Sequence, residues 1–462
     1  MTAAPFDLNA QRPTGERMRP IVMTKQFFTT ALPAAALLAL APWPAQAGVD
    51  IQHWTTDNGV RVYFTPAPEL PVIDMRVVLD AGSARDGEQP GVASMTATLL
   101  NEGSGELDSD AIAVRLEEVG AEYAGAAGLD QASVSLRSLS DNDLFEPAFD
   151  TFTRVLTAPS FPKDAFERIR NQTLVALREE AQSPAAIASK AFYRAIYGEH
   201  PFGSPMIGTA QSVQALGRND VRAFHDRYYV AGNTVLALTG DLTRTQAELL
   251  AERIDNRMPK GKPPAPLPKV QPLAEAQTVE IPFPSEQAHV YIGQPGIARG
   301  DPDYFPLYVG NHILGGSGFT SRLMKEVRVE RGLSYSVYSY FMPELVAGPF
   351  MIGLQTRIDQ ATQAAQVARD TVRNFVREGP SEQELKLATS NITAGFPLRI
   401  ASNADILEYL ALIGYYKLPL DYLGTFKQNI EAVDQARIRA AFGKQLNIER
   451  MVKIIVGGDA KG

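Results

Sequence analysis

The segment Ser133–Leu139, SVSLRSL, alternates polar and apolar side chains, and this period of two predicts a strand with one buried face. The period then changes. Phe145, Ala148, Phe149, Phe152, Val155 and Leu156 recur at helical spacing and predict an amphipathic helix, with Ser140 and Asp143 in a capping-box pattern at its start. A break at TAPSFP leads to a second helix running through Glu180. The same signals return farther along the chain. FMIGLQT reads as a strand, and Ala361, Ala364, Ala365, Ala368, Val372, Phe375 and Val376 mark one face of a helix. GPSEQEL then supplies a break, with Ser381 and Glu384 as the next capping box.

The recurrence predicts an internal duplication. VLALTGD closes the first set of elements and KIIVGGD the second. Gly103 and Gly316 are 213 residues apart, Pro159 and Pro380 are 221 apart, and Asp241 and Asp459 are 218 apart, a drift that short insertions explain. Between the copies lies PKGKPPAPLPKVQP, Pro259–Pro272, whose six prolines predict an extended, semi-rigid connector. The expected fold class is α+β, with two homologous domains, each a mainly antiparallel sheet with helices packed on one face. The boundaries are 48–258 for the first domain, 259–272 for the linker and 273–462 for the second domain.

Composition narrows the function. Apolar residues make up 45% of the 462 and charged residues 21%, an ordinary globular balance. Lys and Arg number 44 against 52 Asp and Glu, a net charge of -8, which argues against nucleic acid as the main partner. Residues 1–47 read as a leader and signal peptide. Lys25 precedes an apolar run at Ala31–Ala41, and AQA ends at Ala47, where cleavage is expected. Pro33, Pro42 and Pro44 interrupt that run, so a stable membrane anchor is not expected. There is no cysteine, which excludes disulfides, thiolate metal sites and cysteine nucleophiles, and an exported chain without disulfides fits the periplasm.

One segment has the frame of a catalytic helix without its chemistry. GVASMTATLLNEG, Gly91–Gly103, has glycine at both ends and Ser, Met, Thr and Ala between them. A zinc peptidase helix pairs two histidines four apart with a carboxylate between. The five histidines here are His53, His200, His225, His289 and His312, and none has a partner nearer than 23 residues.

TDNGVRVYF, AGSARDGEQPGVASMTATLLNEG, the duplicated halves and LGGSGFTSRLMKEVRVERGLSYSVYS together resemble the insulinase/pitrilysin family of zinc peptidases. The resemblance spans about Asp50 to Asp459. It implies that Ser94, Ala97 and Thr98 occupy the positions of an inverted His-x-x-Glu-His motif, so both histidine ligands and the base are missing. The family's third ligand, a glutamate, falls at Glu179 or Glu180. The implication is a chain without metal or other cofactor.

The resemblance also carries an arginine seven residues before a tyrosine. EVRVERGLSYSVYSYF places Arg328 and Tyr335 at that spacing, with Gly332 and Leu333 matching between them. In the family this pair faces the zinc helix across a closed chamber. A phenol donor suits the oxyanion of peptide hydrolysis, and an arginine suits substrate carbonyls. Read without the resemblance, Tyr335, Tyr338 and Tyr340 are ordinary strand packing residues, and Arg328 and Arg331 are surface charges. The glycine-rich LGGSGFTSRL, Leu314–Leu323, reads as a tight turn or a substrate-contact loop; it lacks the Gly-Lys-Ser/Thr of a phosphate loop. The resulting expectation is the metal-free subunit of a periplasmic heterodimeric zinc peptidase. Arg328 and Tyr335 act in trans, zinc resides in a homologous partner, and an unfolded peptide is the substrate. A scaffold or chaperone-like peptide-binding subunit is the alternative.

Overall fold

Two sheets form around the two alternating segments. In the first half β1 is Gln52–Thr55, β2 Arg61–Pro66 and β3 Val72–Leu79; α1 is Val92–Leu99; β4 is Glu122–Ala127 and β5 Ala132–Leu139; α2 is Asn142–Thr157, α3 Lys163–Glu180 and α4 Pro184–Tyr197; β6 is Thr234–Gly240. In the second half β7 is Thr278–Ile281 and β8 Gln287–Pro295; α5 is Tyr304–Asn311; β9 is Ser336–Phe341 and β10 Pro349–Arg357; α6 is Ala361–Glu378, α7 Glu382–Gly395 and α8 Asn403–Tyr416; β11 is Val452–Val456. This computed structural model describes residues 49–458, so the leader, the expected cleavage after Ala47 and the landmark Asp459 lie outside the described residues.

The strand order of the first sheet is β1-β2-β6-β3-β5-β4 and that of the second is β7-β11-β8-β10-β9. Without β1 the two orders are the same. The pairing senses agree too. β2 and β6 run parallel, with Val62 opposite Leu236, as do β7 and β11, with Val279 opposite Ile454; every other pair is antiparallel. The fold is α+β, and the shared topology reproduces the duplication read from the sequence. The apolar faces of α2 and α6 are buried as the 3.6 period requires, with Phe149, Phe152, Ala364, Ala368 and Phe375 fully inaccessible.

The start of α2 differs from expectation. Its N-cap is Asp141, which accepts from Asp143 N, while Ser140 Oγ donates to Asp241 Oδ2 at 2.6 Å. Asp141 directly precedes the first helical residue and takes the cap, and Ser140, engaged by Asp241, instead ties the end of β5 to the end of β6. At α7 the expected box forms: Glu384 N donates to Ser381 Oγ and Ser381 N to Glu384 Oε2.

Each sheet carries its own helices on one face. The opposite face is covered by a helix from the other half: α8 crosses β6, β3 and β2, and α4 crosses β8 and β11. Strand β6 shows the consequence. Leu236 and Leu238 point into the first-half core, whereas Val235 and Ala237 join the core built mostly by the second half. Gly414 lets α8 lie close, since a Cβ there would come within 2.6 Å of Val235 and 2.7 Å of the Tyr63 ring. The proline-rich segment is pinned as it passes: Ala231 N donates to Pro259 O at 3.0 Å and Arg85 Nη1 to Ala265 O at 2.8 Å.

Candidate functional site

Helix α1 starts where two of its free amides meet a buried carboxylate. Gly91 N and Ala93 N donate to Asp86 at 2.7 and 2.9 Å. Burial pushes that carboxyl up to about 7, against the pull of the two amides. The helix is held firmly, and its chemical face is blank. Ala97 is buried, Ser94 is half-buried, and Thr98 Oγ1 is spent on Ser94 O at 2.9 Å. Glu180, at the end of α3, is ion-paired with Lys190 on α4, and Glu179 is exposed. A fixed ammonium thus neutralises one of the two candidate carboxylates. Among the described residues no group of three or more His, Asp or Glu side chains is placed to hold a metal ion.

Arg328 and Tyr335 are brought together. The chain runs through a π-helical segment, Met324–Val329, and then turns at Gly332, whose φ of +62° lies in the left-handed region. Gly332 N donates to Arg328 O and Leu333 N to Val327 O, both at 2.9 Å. Ser334 Oγ lies 2.6 Å from Ser336 O and 2.7 Å from Gln355 O and locks the exit into β9. Tyr335 precedes β9 and is 80% exposed. The Arg328 guanidinium carbon sits 4.4 Å from the Tyr335 ring centroid and 4.7 Å from that of Phe319.

The neighbouring aromatics and arginine behave differently. Tyr338 and Tyr340 stack within β9 at 5.8 Å and are packing residues, their phenols pushed up by burial. Arg331 is consumed inside the chain: Nη1 donates to Glu326 O and Glu326 Oε2, each at 2.7 Å. Arg328 has no carboxylate or hydrogen-bond acceptor among the described residues, so its five donors are free.

Phe319 is a member of this cluster that sequence reasoning missed. It is 66% exposed, in the short turn Gly318–Thr320 of the glycine-rich segment. A single large apolar residue inside a Gly/Ser loop was the available signal. The far end of that segment is anchored by Arg322, which makes two 2.7 Å bonds to Glu384. Burial alone would raise the Glu384 carboxyl, but Arg322 and the Ser381 cap hold it down at about 2. No hydrogen bond, ion pair or ring contact among the described residues links the Arg328 cluster to α1. Each set belongs to its own half.

Known proteins place the chain. The family model for insulinase, peptidase family M16, matches residues 62–210, and that for the peptidase M16 inactive domain matches residues 215–392. A solved peptidase M16 inactive domain from Pseudomonas fluorescens is 40% identical, with a TM-score of 0.86, over 89% of this chain and 98% of that one. The non-peptidase homolog YmxG of Helicobacter pylori is 26% identical over 82% of this chain and 87% of its own length. The periplasmic protease PqqL of Escherichia coli, at 15% identity, shares the fold with a TM-score of 0.73, over 89% of this chain and 46% of that one. With a solved relative this similar along nearly its whole length, and family models lying on both halves, the chain belongs to the insulinase family, peptidase family M16, as a homologue of the inactive-domain type.

Proposed function

We propose that the chain, cleaved after Ala47 into a mature form with peptidase-like domains at 48–258 and 273–462, is the metal-free subunit of a periplasmic heterodimeric zinc peptidase. The observation that carries this reading is the state of Arg328: unpaired among the described residues and bracketed by two exposed rings, one of them the Tyr335 phenol. An arginine left free in this way is ready to bond a substrate carbonyl and keep an extended peptide in register. Tyr335 supplies a phenol donor for the negative charge that builds on the scissile carbonyl oxygen. The partner, a zinc-bearing homologue, would contribute the Lewis acid and the activated water. Among the described residues no helix is long and apolar enough to cross a membrane.

The purified mature chain is expected to hydrolyse no peptide and to contain no stoichiometric zinc by elemental analysis. Mixed with a zinc-bearing homologue from the same cell, it is expected to give chelator-sensitive cleavage of unfolded peptides. Silence from a correctly folded pair would overturn the reading.

A second reading is peptide capture without cleavage. It draws on β4, an edge strand of small residues, Ala124, Gly125, Ala126 and Ala127, that is mostly exposed. Peptide binding by the chain with no activity in any pairing would favour it.

A further inference from the structure

The two halves meet through quasi-equivalent hairpin turns, residues 128–131 between β4 and β5 and residues 342–348 between β9 and β10. Asp130, in the first turn, is 1% exposed. Its Oδ2 accepts from Leu345 N, in the second turn, at 2.8 Å. Glu344 is the residue before Leu345, and a single hydroxyl, that of Tyr416, lies against both its carboxyl and that of Asp130. Tyr416, the last residue of α8, donates to Glu344 Oε2 at 2.8 Å, and its hydroxyl lies 3.3 and 3.4 Å from the Asp130 oxygens. Tyr415 donates to Asp130 O at 2.6 Å. One small cluster therefore binds both turns and the crossing helix.

We propose that Asp130, Glu344 and Tyr416 form a latch that joins the halves while the carboxyl pair keeps one proton and loosens when that proton is lost. Two buried carboxyls that share one hydroxyl cannot both ionise cheaply, so one of them stays protonated. The charges around the pair confirm the need. Asp80 faces Asp130 and adds negative potential, although Arg85 pairs with it. Tyr193 and Tyr197, from α4, face Glu344 as neutral phenols. Arg299 is a cation whose charge favours ionised Glu344; its guanidinium lies over the Tyr416 ring at 5.3 Å, and its Nε is buried without a partner among the described residues. Burial first, and then the Asp130 charge, push the Glu344 carboxyl up to about 8, and burial raises Asp130 as well.

The sign follows from proton linkage. A raised carboxylate binds a proton in the latched state that it releases to water when the latch opens. The open-to-closed ratio therefore grows as pH rises from the ordinary glutamate range toward about 8, roughly tenfold per unit for one proton, and levels off above. Strand β9 begins just after Tyr335 and runs into the second turn, so the latch fixes the far end of the strand that begins beside the proposed site.

Hydrogen exchange of the full mature chain tests this directly. Exchange is followed by mass spectrometry from pH 5.5 to 9 and corrected for intrinsic amide chemistry. Opening of segments 128–131 and 343–348 should rise about tenfold per pH unit below pH 8 and then flatten. Glu344→Gln keeps a neutral group that accepts from Tyr416, and it should abolish the slope. Tyr416→Phe should raise opening at every pH while keeping the slope, which separates a packing role from the proton. A flat wild-type profile, or an unchanged slope in Glu344→Gln, would overturn the latch. Neither result bears on the Arg328–Tyr335 reading.

Discussion

Helix α1 and its quasi-equivalent α5 have the same length and follow equivalent strands, yet they treat their sheet edges in opposite ways. α1 tightens into a 3-10 turn at Leu100–Glu102, and no hydrogen bond from outside β5 reaches the β4 backbone among the described residues. α5 instead widens into a π-helical turn at His312–Gly316. Asn311 Nδ2 donates to Ser339 O at 2.9 Å, and Ser339 Oγ donates back to Asn311 Oδ1 at 2.7 Å, so the middle of β9 is capped. The comparison teaches how a duplicated unit divides its work. One copy keeps an open strand edge and carries Ser94, Ala97 and Thr98 on its helix. The other caps its edge at Ser339 and presents, at the strand's entrance, a phenol and an arginine with no partner among the described residues. Local winding, more than strand order, separates them.

The strongest test removes what the two halves share. Phe192, fully buried on α4, packs edge-on to Tyr291 at 6.1 Å on the second sheet. Phe192→Ala should cost about 3–5 kcal/mol in denaturant unfolding. A loss confined to one half would show that the crossing helices do not couple them. Next comes the chemical asymmetry. In the reconstituted pair, Tyr335→Phe should lower kcat about 100-fold with assembly intact; wild-type turnover would reduce Tyr335 to a surface ring. Edge capping is a smaller effect. Asn311→Ala should cost about 1–3 kcal/mol and raise exchange at Ser339, because a strand carbonyl and a serine hydroxyl lose their partner. An unchanged melting curve would show that the β9 edge needs no cap. Smallest is Phe319→Ala. Loss of one exposed cation–π contact, about 0.5–1 kcal/mol, should raise KM by a few-fold and leave kcat nearly constant. An equal fall in kcat would place Phe319 nearer the reacting bond.

Much of this architecture was legible in the chain. Alternation in SVSLRSL and FMIGLQT, the apolar stripes of α2 and α6, and the Ser381–Glu384 box depend on residues close in sequence, and the sheets carry them as read. The cap at Asp141 was misassigned to Ser140 because two adjacent polar residues compete for one helix end, and the choice depends on Asp241, a hundred residues away. That α1 carries no imidazole or carboxylate at Ser94, Ala97 and Thr98 is a matter of residue type and was legible in the chain.

Sequence by itself determined the duplicated plan, the buried stripes and the absence of histidine and carboxylate from positions 94, 97 and 98, because periodicity and residue type are local properties. Only the tertiary structure decided which sheet each helix covers. An apolar stripe on α4 or α8 states that a face is buried, not what buries it. It also decided that Arg331 is neutralised while Arg328, between Phe319 and Tyr335, meets no carboxylate among the described residues. Both arginines have the same chemistry in the chain, and pairing depends on where Glu326 and Glu330 lie in space.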